Sequence, residues 1–129
     1  MNTSSENTLD FDIIIQGATG FTGTLVAEYL LRQYGVGNDL RWALAGRSET
    51  KLQQVRDGLG ATASGLELIV ADSFDKDALQ ALAARTRVVL ATVGPYALYG
   101  SDLVAACVNA GTHYCDLAGE VQWIRNMID

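Results

Sequence analysis

The sequence predicts an α/β fold in which a doubly wound parallel sheet carries helices on both faces. Short apolar runs of strand length alternate with longer stretches of helical periodicity, and the connections between them are short. No linker, repeat or low-complexity tract divides the 129 residues. Because such alternation requires parallel strands joined by right-handed crossovers, the expected strand order is 3-2-1-4-5.

The first strand is predicted at 11–16, an isoleucine-rich run that is too short for a helix and is bounded by Gly17. A helix is expected next, from about 22 to 34, with Gly35 placed to end it. Its inward face is expected to carry Leu25, Val26, Tyr29 and Leu30.

The remaining elements continue the alternation. Apolar runs predict further strands at 40–45, 66–71, 87–92 and 113–117. Ser48 is placed to cap the second helix, because its side chain can accept a hydrogen bond from a free backbone N–H. Further helices are expected at 77–84, 101–110 and 121–128.

Composition indicates one globular domain. The chain is 49% hydrophobic with a mean hydropathy of +0.13, which is enough apolar material for one core at 11–129. Residues 1–10 are polar and are predicted to form a disordered tail. A net charge of -6 without a basic cluster argues against nucleic acid or an anionic membrane surface as the main partner.

Targeting signals and cysteine usage predict a cytoplasmic protein. The longest early apolar run is far shorter than the core of a signal peptide, and no stretch predicts an integral membrane segment. Cys107 and Cys115 are too few for a disulfide framework and lack metal-site spacing, so both are expected to be free and buried.

Three glycines form the most informative motif. Gly17, Gly20 and Gly23 leave the first strand and open the first helix, the context in which the Rossmann arrangement binds the pyrophosphate of a dinucleotide. Turn glycines in an α/β protein without a nucleotide are the alternative. A phosphate loop of the NTPase kind is excluded, because no Gly-Lys-Ser/Thr follows Gly17 at the required spacing.

The end of the second strand favours NADP (NADPH) over NAD. NAD-selective proteins place an acid here to hold the ribose hydroxyls, whereas this chain has Gly46, Arg47 and Ser48, and Glu49 is the first acid. Arg47 and Lys51 lie at a helix start, where a phosphate would offset their unfavourable interaction with the helix dipole. A solvated surface charge is the alternative interpretation of Arg47.

Residues after the third and fourth strands complete the predicted cofactor site. Asp72 is placed either to accept a hydrogen bond from the adenine amino group or to cap the next helix. Gly94 and Pro95 follow the fourth strand on the nicotinamide side, where they would keep the backbone close to the cofactor.

No catalytic residue and no metal site is predicted. Tyr96 and Tyr99 follow the nicotinamide side and either cover the cofactor or simply pack. His113 is the one histidine in the sequence, and without an acid or nucleophile at helical spacing it is expected to be structural.

Four motifs extend over almost the whole chain: GATGFTG, ALAGRS, GPYALYG and ACVNAGTHYCDLAGE. They resemble those of the saccharopine dehydrogenase-like oxidoreductases, in particular the branch with trans-acting enoyl reductases of polyketide lipid synthesis. By position, the resemblance implies a pyrophosphate loop at Gly17, Thr19, Gly20, Phe21 and Thr22. It implies a 2′-phosphate site at Arg47 and Ser48 and a wall beside the nicotinamide ribose at Gly94 and Pro95.

The family resemblance also implies a longer protein. Members have a second domain that contacts substrate, so this chain is expected to be an N-terminal cofactor domain that binds NADPH without turnover. Asp116, Gly119 and Glu120 match the family without an assignable role. The apolar residues of 121–128 would suit packing on the sheet or an interface, including a homo-oligomer.

Two other functions stay open. Short-chain dehydrogenases also use glycine loops, but their catalysis needs a Tyr four residues before a Lys, and no tyrosine here has that partner. A non-catalytic NADP-binding redox sensor is the second alternative, and turnover by the full-length protein would separate it from an enzyme.

Overall fold

The fold is seen in a computed structural model that describes residues 9–37, 40–72, 75–92 and 96–116. Five parallel strands form one sheet in the order β3-β2-β1-β4-β5, as predicted. The strands are β1 Phe11–Gln16, β2 Trp42–Gly46, β3 Glu67–Val70, β4 Thr86–Ala91 and β5 His113–Asp116. The order reverses beside β1, which places a crevice between the residues that follow β1 and β4.

Within the described residues four α-helices connect the strands, and the bounds of all but the last lie close to the predicted ones. They are α1 Phe21–Tyr34, α2 Glu49–Gly58, α3 Lys76–Ala83 and α4 Tyr96–Ala110. The α4 helix begins at Tyr96, five residues before the predicted 101, and Gly100 lies inside it. The predicted helix at 121–128 and the tail at 1–8 lie outside the described residues.

The two faces of the sheet bury separate apolar clusters. On one face, the cluster joins Ile14 of β1 with Leu79 and Leu82 of α3 and Leu103 of α4. The other face is covered by α1 and α2, with Ile15, Ala27, Leu30, Leu44 and Leu52 in its core. A sheet buried on both faces explains why its strands read as continuous apolar runs.

The inward face of α1 differs from the predicted one. Leu30 is buried as expected and Val26 is partly buried, but Leu25 and Tyr29 are 49% and 53% exposed. Gly23 and Ala27 take the inward positions instead, since α1 packs so closely on the end of β1 that only small side chains fit there. Simple helical periodicity cannot anticipate that closeness.

Ion pairs join the strands at the amino edge of the sheet. Arg85 contacts Asp10 and Glu67, each at 2.8 Å, and its guanidinium lies 5.2 Å from the ring centre of Phe11. At the end of the predicted tail, the carbonyl of Leu9 accepts a hydrogen bond from an arginine side chain, so Leu9 and Asp10 are held by contacts with the domain.

A second group of charges lies at the same edge. The Asp12 carboxylate accepts a hydrogen bond from the Arg41 backbone N–H at 2.9 Å and pairs with the Arg41 guanidinium at 3.3 Å. Arg87 lies 3.9 Å from the same carboxylate. The Arg41 backbone hydrogen bond is the main reason that the pKa of Asp12 lies below its ordinary value.

The two cysteines are free, but only one is buried. Burial raises the pKa of the Cys107 thiol to about 11, so it stays protonated in the core of the α4 side. The prediction that Cys115 is buried is wrong, because β5 is an edge strand of the described sheet and leaves this residue exposed. Among the described helices, none has the length and apolar character needed to cross a membrane.

Candidate functional site

The glycine loop lies at the carboxyl edge of the sheet, between β1 and α1. Gly17 has a φ of 87°, a left-handed conformation that side chains rarely adopt, so the tight turn itself requires this glycine. The N–H groups of Gly17 and Ala18 both donate to the carbonyl of Ala45 in β2, at 2.9 and 3.1 Å. The turn is thereby fixed to the neighbouring strand.

Close packing of α1 on the loop requires Gly23. A Cβ atom added there would lie 2.5 Å from the carbonyl oxygen of Gly17 and 2.7 Å from the Cα of Ala18. Both are backbone atoms, so the clash could be relieved only by moving α1 away from the loop. The predicted role of this glycine in helix–strand packing therefore has a geometric basis.

Gly20 differs from the other two, because nothing among the described residues requires a glycine there. Its φ of -81° and ψ of 172° are extended values open to any residue. An added Cβ would meet only the carbonyl oxygen of Gly17, at an ordinary contact distance of 3.6 Å. A ligand that approaches the backbone closely would explain this glycine, and the site therefore fits a pyrophosphate.

The N-terminus of α1 offers free hydrogen-bond donors. Gly20 is the N-cap and has no side chain that could accept from the first turn. Within the described residues, the N–H groups of Phe21, Thr22 and Gly23 have no acceptor. Such N–H groups at the positive end of a helix dipole bind anions.

The end of β2 brings the predicted 2′-phosphate residues beside this loop. A Cβ added to Gly46 would lie 3.6 Å from the methyl carbon of Thr19, so the loop and the end of β2 are in contact. Arg47 is exposed and, within the part of the chain that the structure describes, makes no ion pair. Lys51 is likewise exposed and unpaired there, one helical turn into α2.

Ser48 caps α2, as predicted. Its Oγ accepts a hydrogen bond from the Lys51 backbone N–H at 3.2 Å. Because a hydroxyl both accepts and donates, Ser48 keeps its own proton for an anion beside the helix start. The cap and the predicted phosphate contact are therefore compatible.

The adenine side of the predicted site lies after β3. The capping alternative for Asp72 is wrong: Asp75 caps α3, with its Oδ1 accepting from the Ala78 N–H at 3.1 Å. The carbonyl of Asp72 accepts from the Asp75 N–H at 3.0 Å, which closes a turn. These two residues, with Lys76 and Asp77, line a surface cleft of about 480 Å³.

Sequence reasoning missed Gln16 and Thr92, two polar residues that join the ends of β1 and β4 at the base of the crevice. Thr92 directly follows β4, and its N–H donates to the carbonyl of Gln16 at 2.9 Å. The Thr92 Oγ1 lies 2.9 Å from the carbonyl oxygen of Gln16 and 3.0 Å from that of Gly17. Gln16 ends the apolar run of β1 and Thr92 follows that of β4, and a polar residue at such a place was the available sequence signal.

The nicotinamide side is only partly described. Gly94 and Pro95 lie outside the described residues, so their predicted contacts stay predictions. The backbones of Tyr96 and Tyr99 lie in the first turns of α4. His113 begins β5 and therefore lies at the amino edge, opposite the glycine loop.

A 3-2-1-4-5 parallel sheet with a glycine turn and an open helix N-terminus at its switch point defines the dinucleotide-binding class of domains. Residues 13–128 match the family model described as the saccharopine dehydrogenase NADP binding domain. The chain belongs to this family and is an NADP-binding domain, so the predicted family and cofactor are confirmed.

The chain is similar to longer mycobacterial proteins. It is 52% identical over 120 residues to a trans-acting enoyl reductase of Mycobacterium tuberculosis and 48% identical to one of Mycobacterium ulcerans. Each match includes 93% of this chain but 28% of the relative. The chain thus spans somewhat more than a quarter of the length of these relatives.

Solved structures show the same fold. Apo saccharopine dehydrogenase from Saccharomyces cerevisiae superposes with a TM-score of 0.66 at 20% identity, over 91% of this chain and 24% of that one. Triphenylmethane reductase of a Citrobacter species, solved with NADP(H), has a TM-score of 0.65 at 26% identity, over 82% of this chain and 36% of that one.

Proposed function

We propose that this chain is the cofactor-holding part of a longer NADPH-dependent oxidoreductase, of which an enoyl reductase is the favoured type. The observation that carries the proposal is the uncapped N-terminus of α1, which lies beside a contact between the glycine loop and the end of β2. The enoyl reductase relatives support the reaction type, and their greater length supports a separate substrate domain.

The free donors of α1 would hold the pyrophosphate. The N–H groups of Phe21 and Thr22 would donate to its oxygens, and Gly20 leaves room for them. Thr19 links this loop to the end of β2, so the pyrophosphate and the adenosine ribose would bind to neighbouring segments. Gly94 and Pro95 would lie beside the nicotinamide ribose.

Charge at the end of β2 would select the phosphorylated ribose. Arg47 would pair with the 2′-phosphate, Lys51 would add a second positive charge, and the Ser48 hydroxyl would donate a hydrogen bond. In this arrangement Asp72 would accept a hydrogen bond from the adenine amino group in its cleft.

Bound NADPH supplies a hydride, and the residues of this chain orient the cofactor that carries it. Hydride transfer also needs the substrate held about 3–3.5 Å from the nicotinamide. We propose that the remainder of the longer protein supplies that surface and that the isolated domain binds cofactor without turnover. Turnover by the full-length protein would separate this proposal from a redox sensor.

The proposed compartment and partners of the protein follow from its cysteines and its charge. We propose a cytoplasmic protein, and the free state of Cys107 and Cys115 supports a reducing compartment. Nucleic acid is not proposed as a partner, given the net charge of -6. The segment 121–128, through which a homo-oligomer is predicted, lies outside the described residues, and self-association stays a prediction.

The Arg47→Ala variant tests the phosphate assignment. A charge-assisted hydrogen bond is worth about 1.5–3 kcal/mol, so we expect NADPH affinity to fall roughly ten-fold to hundred-fold while NADH affinity changes little. Isothermal titration calorimetry with both cofactors measures the difference. Arg32→Ala is the matched control, because Arg32 lies in the last turn of α1, away from the glycine loop. Equal losses for the two cofactors would contradict the assignment.

A further inference from the structure

Gln16 is a buried polar residue that joins the two sides of the crevice. It ends β1, and 1% of it is exposed. Its Nε2 reaches over β2 and donates to the carbonyl of Ala71, at the end of β3, at 3.3 Å. Its partners in the sheet register are Ala45 and Ala91, whose small side chains share its face of the sheet and leave room for a long amide.

Packing alone does not explain the amide. Within the described residues, the buried Oε1 of Gln16 has no hydrogen-bond partner. A buried acceptor without a partner is unfavourable, and a methionine of similar length would fill the space without that cost. The benefit of Gln16 must therefore come from the bond that its Nε2 makes.

That bond leads to the adenine side of the site. Ala71 is itself buried, and its N–H donates to the carbonyl of Gly46 at 2.8 Å, so Gln16 completes the pairing of this residue. The chain then continues to Asp72, whose carbonyl is hydrogen-bonded by the Asp75 N–H. The contacts thus run without a break from β1 to the cap of α3 and the cleft beside it.

The backbone of Gln16 is bound on the other side of the crevice. Its carbonyl accepts from the N–H of Thr92, which follows β4. Gln16 also directly precedes Gly17, where the glycine loop begins. One residue therefore connects the ends of β3 and β4 with the start of the pyrophosphate loop.

We propose that Gln16 is a positioning residue for the adenine half of NADP. Its side-chain amide fixes the end of β3, and this keeps Asp72 and the start of α3 where the adenine would bind. Because Gln16 is buried, it would act without touching the cofactor. The inference rests on the proposed placement of the adenine at the Asp72 cleft.

The Gln16→Met variant tests this role by removing the bond and keeping the length of the side chain. We expect affinity for NADPH and for 2′,5′-ADP, which lacks the nicotinamide half, to fall about three-fold to ten-fold. Binding of reduced nicotinamide mononucleotide should not change. The melting temperature should change little, because the variant removes the unpaired Oε1 but leaves the buried Ala71 carbonyl without its donor.

Two further variants keep the test decisive. Ile14→Met is the matched control, since Ile14 is fully buried on the same strand and face but has no bond to Ala71. In Gln16→Glu, a protonated carboxylic acid can donate to the Ala71 carbonyl and a carboxylate cannot. We therefore expect the 2′,5′-ADP affinity of Gln16→Glu, divided by that of the wild type at the same pH, to rise as the pH is lowered. The ratio removes the effect of protonating the phosphates of the probe.

Unchanged 2′,5′-ADP affinity in Gln16→Met would overturn the positioning role, and so would an equal loss in Ile14→Met. A ratio of Gln16→Glu to wild-type affinity that stays constant with pH would count against it in the same way. Failure of the proposed function would look different, since the wild type would then bind neither NADPH nor 2′,5′-ADP.

Discussion

The two edges of the sheet treat their charges and hydrogen-bonding groups differently. At the amino edge Arg41, Arg85 and Arg87 each contact a carboxylate. At the carboxyl edge Arg47 has no ion pair within the described residues, and the first turn of α1 has no cap. The charged groups of the amino edge pair with one another within the domain, whereas the carboxyl edge leaves a positive charge and backbone N–H groups available to an anion.

The helix starts at the carboxyl edge repeat this contrast. Ser48 caps α2 and Asp75 caps α3, each through a side-chain oxygen that accepts from a backbone N–H. The α1 helix begins at Gly20, which has no side chain to do so. A side-chain cap typically stabilises a helix by about 1 kcal/mol. The α1 helix lacks that stabilisation, and the N–H groups of its first turn stay available to a ligand.

The largest effect is expected from glycines within the loop itself. Gly23→Ala should lower the free energy of unfolding by about 1–3 kcal/mol or more, because the new Cβ would lie 2.5 Å from a backbone oxygen.

Gly20→Val should keep the wild-type melting temperature but lose NADPH binding, since its backbone angles suit valine and only the pyrophosphate needs the space.

Thermal unfolding followed by circular dichroism, with calorimetry on each variant, separates these two outcomes. A stable Gly20→Val variant that still binds NADPH would show that this glycine serves the turn alone. If Gly23→Ala were as stable as the wild type, α1 would pack less tightly on the loop than the 2.5 Å approach of the added Cβ implies.

An intermediate effect is expected at the amino edge. Arg85→Met removes two ion pairs and the contact with the Phe11 ring while keeping much of the side-chain volume. Because these groups are half exposed, we expect a loss of about 1 kcal/mol in unfolding free energy and no change in NADPH affinity. Urea unfolding and calorimetry measure both quantities. A loss of cofactor affinity would contradict the separation of the two edges.

The smallest effect is expected in acid. The pKa of Asp12 is lowered in the folded state, chiefly by the Arg41 backbone hydrogen bond, from an ordinary value of 3.8. The stabilisation is therefore complete above that ordinary value and is lost as the pH falls through the lower folded pKa. Asp12→Asn should be less stable than the wild type at pH 7, and the difference should shrink below pH about 4.

Urea unfolding at a series of pH values tests this expectation. A difference between Asp12→Asn and the wild type that stays constant down to pH about 2 would show that the charge of Asp12 contributes nothing. Cofactor affinity at pH 7 should be the same in both proteins, because Asp12 lies at the edge opposite the glycine loop.

Much of the fold could be predicted because its signals are local. Isoleucine-rich runs, Ser48 as a cap and Gly35 as a helix end all act within a few residues, and the structure confirms each of them. The inward face of α1 was not predictable in the same way. Leu25 and Tyr29 are exposed because α1 turns Gly23 towards the glycine loop, a close approach that no periodicity in the sequence reports.

The sequence by itself determined the strand order and the position of the glycine loop, because alternation and the handedness of crossovers leave few topologies. Only the tertiary structure decided why each glycine is there: a positive φ at Gly17, a backbone clash at Gly23 and neither at Gly20. It also decided that Asp75 caps α3 and that Gln16 reaches Ala71 across β2. Such contacts join residues far apart in the chain, and their distances are fixed by packing, which a linear pattern does not contain.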